Sequence, residues 1–384
     1  MAPMYYISAP MYLCGGFGAM SRSLQIAIVG GGPGGLTAAI ILHRQGHQVR
    51  VYEADPSADH RKQGGTLDLH ADSGQLALHR AGLLDSFRAI ARHEDQNSTD
   101  IDPVTGQVEQ TPPHPEEDMD RPEIDRGLLR QLLLGALPPG CFIWGARLDH
   151  VEIGTQGRHT MVFQSGARVE ADVVIGADGA WSRVRKALTP VAPFYTGVTF
   201  LEGWIETPTP AQTDLVGHGS LFSFGGPEAV FAQRNGEGRI CVYAAVQRPQ
   251  EWLKTQLAQM PAPELVRHIY QGWAANLRSL LDGCAAFIER PIYSLPADFG
   301  WQAHPGITLI GDAAHLMPPL GVGVNLAMLD ATDLAVAIGD GSDWQEALRQ
   351  CEICIRDRAQ SHMREIIPGF TEWFAGPSPV RQRA

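Results

Sequence analysis

Lysine is almost missing from this chain: of 384 residues only Lys62, Lys186 and Lys254 carry an ε-ammonium, and the other cations are arginines. That imbalance reads as genome-composition bias more readily than as function. Acidic residues number 42 against 30 basic ones, and the formal charge of −12 argues against a nucleic-acid footprint. Long apolar runs are missing too. No stretch of about 18 apolar residues exists, so a membrane span is not expected and a cytosolic protein is. Met1 to Met20 lack the basic segment and continuous apolar core of a signal peptide. Met20 falls just before the first strand-like run, and residues 1–19 are expected to be a disordered extension or a mis-called start. The six cysteines, Cys14, Cys141, Cys241, Cys284, Cys351 and Cys354, are scattered. Cys351 and Cys354 sit on adjacent turns of a helical stretch with no second pair to close a tetrahedral zinc site, and the 14 histidines lack ligand spacing. No metal is expected. At 44% hydrophobic, a chain of this length can bury a large core and should hold two domains.

Glycine, by contrast, is placed with a pattern. Leu24 to Val29 reads as a buried strand, Gly30-Gly31-Gly32-Pro33-Gly34-Gly35 as a turn, and Leu36 to Gln45 as a helix. Gly30 permits the tight turn, Gly32 lets backbone approach a pyrophosphate, and Gly35 lets helix and strand pack closely; the helix N-terminus supplies free N–H groups and a positive dipole end. The next strand, Val49 to Glu53, ends in an acid 18 residues after Gly35, where a carboxylate can accept ribose hydroxyls. Glu53 is the expected ribose ligand. This unit alone does not separate NAD from FAD.

Two later signatures make the separation. Ala171 to Ile175 is strand-like, and Asp178-Gly179 turns it into a helix starting near Ser182, an N-cap residue type. Thr308 to Ile310 is another strand, ending at Gly311-Asp312; a loop containing Pro318, Pro319 and Gly321 follows, then a Gly-Val-Gly turn and an apolar helix from about Asn325 to Ile338. A carboxylate at Asp312 can hydrogen-bond the ribityl hydroxyls of a flavin. The N–H groups of Gly323, Val324 and Asn325 can face the pyrimidine edge, where reduced flavin carries negative charge. Taken together, the three signatures point to bound FAD. His315 lies inside the third, where a backbone-positioning role and a catalytic one both remain open.

With these motifs the chain resembles the group A flavin monooxygenases, the FAD-dependent hydroxylases related to p-hydroxybenzoate hydroxylase. The likeness runs from about Leu24 to the C-terminal helix and is nearest to the tetracycline-inactivating branch, on Gly64 to His70, Pro122 to Arg126 with Leu129-Arg130, and Gly311 to Pro319. The resemblance implies that Arg61, Asp68, Arg126 and Asp312 lie along the flavin, with Asp178 in the cofactor-binding set. It implies an oxygen-transfer cycle: NAD(P)H reduces the flavin, O2 adds at C4a, and the distal oxygen of the hydroperoxide passes to an electron-rich carbon of an aromatic, phenolic or polyketide molecule. No second dinucleotide fold for NAD(P)H is visible, as is typical of the family. Epoxidation or Baeyer–Villiger cleavage on the same scaffold remains an alternative, as does a non-catalytic FAD-containing binding protein. The Gly-Trp-x-Trp-x-Ile-Pro signature of flavin halogenases is absent. A monomer is expected.

The implied fold is α/β: a Rossmann-like FAD-binding domain (20–94, 112–187 and 281–320) interleaved with an antiparallel-sheet substrate domain (95–111 and 188–280), and a C-terminal helical segment (321–384) whose helix braces the two. Gly197 to Ile205, Ser220 to Phe224, Ala229 to Gln233 and Arg239 to Val246 read as its strands, the last two joined through Asn235-Gly236, a hairpin signal. Asp100 to Asp120, with four prolines and many acids, reads as a loop, and Trp344 to about Ile367 as a helix. In a rough register Glu202, Ser220 and Cys241 replace the Gln, Arg and His with which the tetracycline-inactivating relatives hold substrate. Losing such anchors removes hydrogen bonds worth about 1–3 kcal/mol each when buried. The loop after Pro319 is also one residue shorter than is usual in that branch. Trp204, Phe222, Phe224 and Phe231 suit a flat substrate, though core packing accounts for aromatics there as well.

Overall fold

The computed structural model describes residues 23–60, 64–94, 97–109, 121–154, 157–339 and 344–376. The expected extension 1–19, Arg61 and most of the acidic proline-rich segment lie outside the described residues.

Five parallel strands form the first sheet, in the order Ile307–Leu309, Val173–Gly176, Gln25–Val29, Gln48–Tyr52 and Phe142–Ile143. The central ones are near-continuous apolar runs because helices and a small three-stranded sheet cover both faces; Ile28, Val51 and Val173 to Ile175 are fully buried. The helix Pro33–Arg44 packs on Gly323–Gly339, which in turn packs on Trp344–Trp373. The order of strands has a direct consequence for the site. Gly30, Glu53, Asp178 and Gly311-Asp312 follow the C-terminal ends of four neighbouring strands, so four distant segments meet along one edge of the sheet, where ligands of such folds bind.

The second large sheet has seven strands, ordered Phe287–Ser294, Phe194–Ile205, Ile240–Gln247, Glu228–Arg234, Gly219–Phe224, Asn97–Ile101 and Val108–Glu109. All its pairings are antiparallel except that of Gly219–Phe224 with Asn97–Ile101. Alternation separates its two faces. Leu201, Leu221, Val230, Ala232, Val242 and Ala244 point to the helices Gln250–Leu257, Ala262–Ile269 and Ala275–Asp282, while Phe200, Phe231 and Ala245 point the other way, against Phe370 and Phe374 of the C-terminal helix. Burying each such aromatic stabilises the fold by about 1.5–3 kcal/mol.

Three expectations need correction. Phe287–Ser294 belongs to this antiparallel sheet, not to the FAD-binding domain, so the boundary drawn at 281 falls too early; the strand sits at the sheet edge, where Pro291 can be carried without breaking the ladder. The C-terminal helix does not stop near Ile367 but runs to Trp373 with Pro368 inside it, delivering Phe370 to the aromatic layer. And the segment expected to be a loop from Asp100 begins as sheet, with Asp100 and Ile101 paired to Glu109 and Val108.

Candidate functional site: a cofactor edge facing an aromatic sheet

The first turn is fixed by backbone contact. Gly30 has φ +105°, and a Cβ there would lie 2.2 Å from the Ala177 carbonyl oxygen; one on Gly35 would lie 2.2 Å from that of Gly30. Gly32 differs: a Cβ there meets nothing within 4 Å. No side chain caps the following helix, and Pro33 occupies its first turn, so its N–H groups and dipole end are presented to that open space. An added diphosphate fits such a cradle.

Beside it, the buried Glu53 carboxylate accepts from the Gly31 N–H (2.8 Å) and the Asp55 N–H (2.9 Å). Arg130 Nη2 stands 3.5 Å from Glu53 Oε2, and Arg130 Nε donates to the Gly31 carbonyl (3.1 Å). The guanidinium lies 5.2 Å over the Trp144 ring, and Nη1 is buried with no partner among the described residues. An orphaned cationic donor next to the expected ribose acid is what a nucleotide would satisfy. No sequence motif assigns Arg130 a role; the signal for one is an arginine between buried leucines, Leu129 and Leu133, in the helix Arg126–Gly135.

Asp178 is engaged within the protein. Its carboxylate accepts from Ser182 Oγ (2.5 Å) and from the N–H groups of Arg183 (2.6 Å) and Val184 (3.3 Å), ordering the start of the helix Arg183–Leu188. Burial pushes its carboxyl up despite those donors. Arg185 then ties the second signature to the third: fully buried, it donates to the carbonyls of Asp312 (3.3 Å) and Ala313 (3.1 Å) and to that of Ala180. Asp312 itself is exposed, and its carboxylate accepts no hydrogen bond among the described residues. Behind it the Gly311 N–H donates to Asp330 Oδ2 (3.1 Å), which His315 Nε2 also meets at 2.6 Å. Burial pushes the His315 imidazole down, but the Asp330 charge outweighs it and holds the ring above its ordinary value. His315 thus braces backbone from inside the core.

The loop ahead of the helix Gly323–Gly339 meets the Gly64 to His70 segment. Gly321 (φ +87°) would place a Cβ 3.8 Å from the Asp68 carboxylate, and a Cβ on Gly323 meets nothing. The Asn325 side chain is a strut: Oδ1 accepts from His70 N (2.9 Å) and Gly74 N (3.2 Å), and Nδ2 donates to the carbonyls of Asp68 (2.9 Å) and Gly321 (3.3 Å). Only backbone groups of Gly323, Val324 and Asn325 therefore remain for a ligand. Pro319 is exposed next to Leu320, which packs on the aromatic layer. Asp68 pairs with His70 (2.9 Å), and Arg126 runs beside Gly64.

The seven-stranded sheet brings Glu202, Ser220, Phe224 and Cys241 onto one face, the one turned to the C-terminal helix. Their surroundings differ. Glu202 is buried, with Oε2 accepting from Arg290 Nε (3.1 Å) and Oε1 from Trp204 Nε1 (3.2 Å), so its carboxylate is already paired. Cys241 is fully buried and its thiol is pushed up by burial. Phe224 packs on Phe231 (5.4 Å) and Trp373 (5.1 Å). Ser220 lies opposite Gln233. Tyr243 and Gln233, which the sequence reading passed over, reach the Gly64-Gly65 turn: a Cβ on Gly65 would lie 2.8 Å from the Tyr243 hydroxyl and 3.1 Å from Gln233 Oε1. The cofactor-edge loops and the sheet meet at these residues.

The model of the FAD binding domain family matches residues 23–222 and 301–342. The monooxygenase penA of Penicillium thymicola is 31% identical over 90% of this chain and 94% of its own length. Among solved structures, 2,6-dihydroxypyridine-3-hydroxylase from Arthrobacter nicotinovorans superposes with a TM-score of 0.80 at 21% identity, covering 94% of this chain and 96% of that one. The tetracycline destructase Tet(55) superposes with a TM-score of 0.71 at 19% identity over 95% of both chains.

Proposed function

Because the chain belongs to the FAD binding domain family and is an FAD-dependent monooxygenase, we propose that it hydroxylates a flat aromatic, phenolic or polyketide small molecule, with NAD(P)H as electron donor and O2 as oxygen source. The carrying observation is the sheet face of Phe200, Phe222, Phe224, Phe231 and Tyr243, which looks onto the same loops that build the cofactor edge. When bound, FAD supplies the redox and oxygen-transfer chemistry. The residues supply placement. The N-terminus of Pro33–Arg44 holds the diphosphate, Glu53 and Arg130 the ribose, Asp312 the ribityl hydroxyls, and the N–H groups of Gly323 to Asn325 the pyrimidine edge, where they favour negative charge. Arg126 and Asp68 flank the ring. The aromatic layer, closed by Phe370, Trp373 and Phe374, keeps water from the reacting carbon and offers rings for a planar substrate to stack against.

A tetracycline-inactivating role is not favoured. The branch's substrate anchors are replaced by a paired acid at Glu202, a small hydroxyl at Ser220 and a buried thiol at Cys241, and the likeness to Tet(55) is one of fold. The test is consumption of NADPH and NADH by the flavin-loaded protein against a panel of phenols, tetracyclines and other polyketides, with product mass and product NMR. One compound that stimulates consumption and emerges one oxygen atom heavier, with that oxygen borne as a hydroxyl on carbon, supports hydroxylation. Ring opening or an epoxide would redirect the reaction class, and tight binding without stimulated consumption across the panel would overturn the proposal in favour of a binding protein.

A further inference from the structure

The turn that presents Asp312 is gripped from two sides. Arg185 holds its carbonyls from the sheet side. From the helix side Asp330 accepts the Gly311 N–H (3.1 Å) and His315 Nε2 (2.6 Å) on one oxygen and Arg358 Nη2 (2.8 Å) on the other, while Arg358 Nη1 reaches Asp333 (2.8 Å). Asp330 is fully buried and His315 is 2% exposed. Three elements meet here: the short helix Asp312–His315, Gly323–Gly339 and Trp344–Trp373.

A buried ionic cluster is a poor way to gain stability, because desolvation offsets most of the attraction; its attested use is to fix one arrangement among several. The arrangement fixed here is that of Gly311, at φ +59° and ψ −143°, whose dihedral angles, held by the N–H bond to Asp330, set where the next side chain points. We propose that Arg358 is a positioning residue for FAD: by holding Asp330 it sets the Gly311 turn and aims the Asp312 carboxylate along the ribityl chain. The inference rests on the assignment of Asp312 as ribityl ligand. It also gives the C-terminal helix two ends of work, since the same helix carries Phe370 and Phe374 into the aromatic layer, so that helix register, pocket cover and cofactor alignment move together.

The test is a double-mutant cycle on FAD affinity, read by quenching of flavin emission on titration into deflavinated protein, with apo-protein melting temperatures measured in parallel. Asp312→Ala and Arg358→Gln are each expected to raise the dissociation constant about tenfold, and the double variant to rise no further than the weaker-binding single, because both act through one contact. Independent effects that multiply in the double variant overturn the inference, as does a lowered melting temperature for Arg358→Gln with unchanged FAD affinity, which marks a purely structural role. An unchanged constant for Asp312→Ala overturns the ribityl assignment itself and is distinguishable by that single variant. Should Arg358→Gln not fold, Arg358→Lys, which keeps the charge but cannot fork across Asp330 and Asp333, serves in its place. A smaller rise that vanishes in the Asp312→Ala background supports the inference, and one that persists overturns it.

Discussion

At the first turn of the parallel sheet, position is enforced by backbone against backbone; on the aromatic face of the seven-stranded sheet, it is enforced by side chain against side chain. Gly30 and Gly35 each stand where one added carbon would strike a carbonyl at 2.2 Å, and neither can change without moving a strand. On the aromatic face, Phe200, Phe222, Phe224 and Phe231 interlock with ring centroids 5.4–5.6 Å apart, while the strands that carry them pair through backbone groups that do not depend on the rings. A cofactor site built the first way resists drift. A site built the second way can be refitted without moving a strand.

The sharpest test of that contrast lies within one turn. Gly35→Val should abolish folding, whereas Gly32→Val, whose side chain enters open space at φ −80°, should give a folded, colourless protein; circular dichroism melts and visible flavin absorbance separate the two. Gly32→Val that purifies with full FAD would break the contrast. Next in size, Phe231→Ala should destabilise the protein by about 3 kcal/mol in urea unfolding while leaving the FAD affinity of the folded protein unchanged. Coupled loss of FAD would show that the two regions are not separable. Tyr243→Phe removes one hydroxyl beneath Gly65 and should raise the KM of a stimulating substrate about fivefold, the equivalent of one hydrogen bond, without altering FAD retention.

The smallest expected effect is one of pH. Asp330, with a further pull from Asp312, holds His315 above its ordinary 6.5, so its stabilising contribution is complete below that value and is lost as pH rises through the raised one. Melting temperatures of wild type and His315→Gln should therefore differ most at about pH 5.5 and converge toward about pH 9. A difference that widens with pH would contradict protonation of His315 in the fold.

How much of this was legible follows from the same contrast. Gly30, Gly35, the acid at Glu53 and the Gly311-Asp312 end of a strand are read directly, because a backbone requirement leaves only one or two residue types and a fixed spacing. The guanidinium ties of Arg130, Arg185 and Arg358 are not legible in that way: each joins segments about a hundred residues apart or reaches between helices, and nothing local marks the partner. The misplaced boundary at 281 has a local cause. Pro291 and the charges Glu289 and Arg290 disguise Phe287–Ser294, since an edge strand needs neither a full set of donors nor clean alternation. Pro368 likewise suggested an end to a helix that tertiary packing of Phe370 and Phe374 carries past it. On the sheet face, the register implied by the resemblance gives Cys241, and alternation puts Tyr243 on the same face two residues on, but nothing local shows that the latter meets Gly65.

The outermost parallel strand, Ile307–Leu309, pairs with Val173–Gly176, more than a hundred residues earlier in the chain. During synthesis the glycine turn, Glu53 and Asp178 emerge well before the segment that carries Asp312, and five of the seven strands of the other large sheet lie in between. The glycine turn is thus made long before the last strand of its sheet, whose closure is a long-range pairing that carries a loop-entropy cost. A chain released before Ile307 would therefore carry the first signature without the strand and turn that present Asp312.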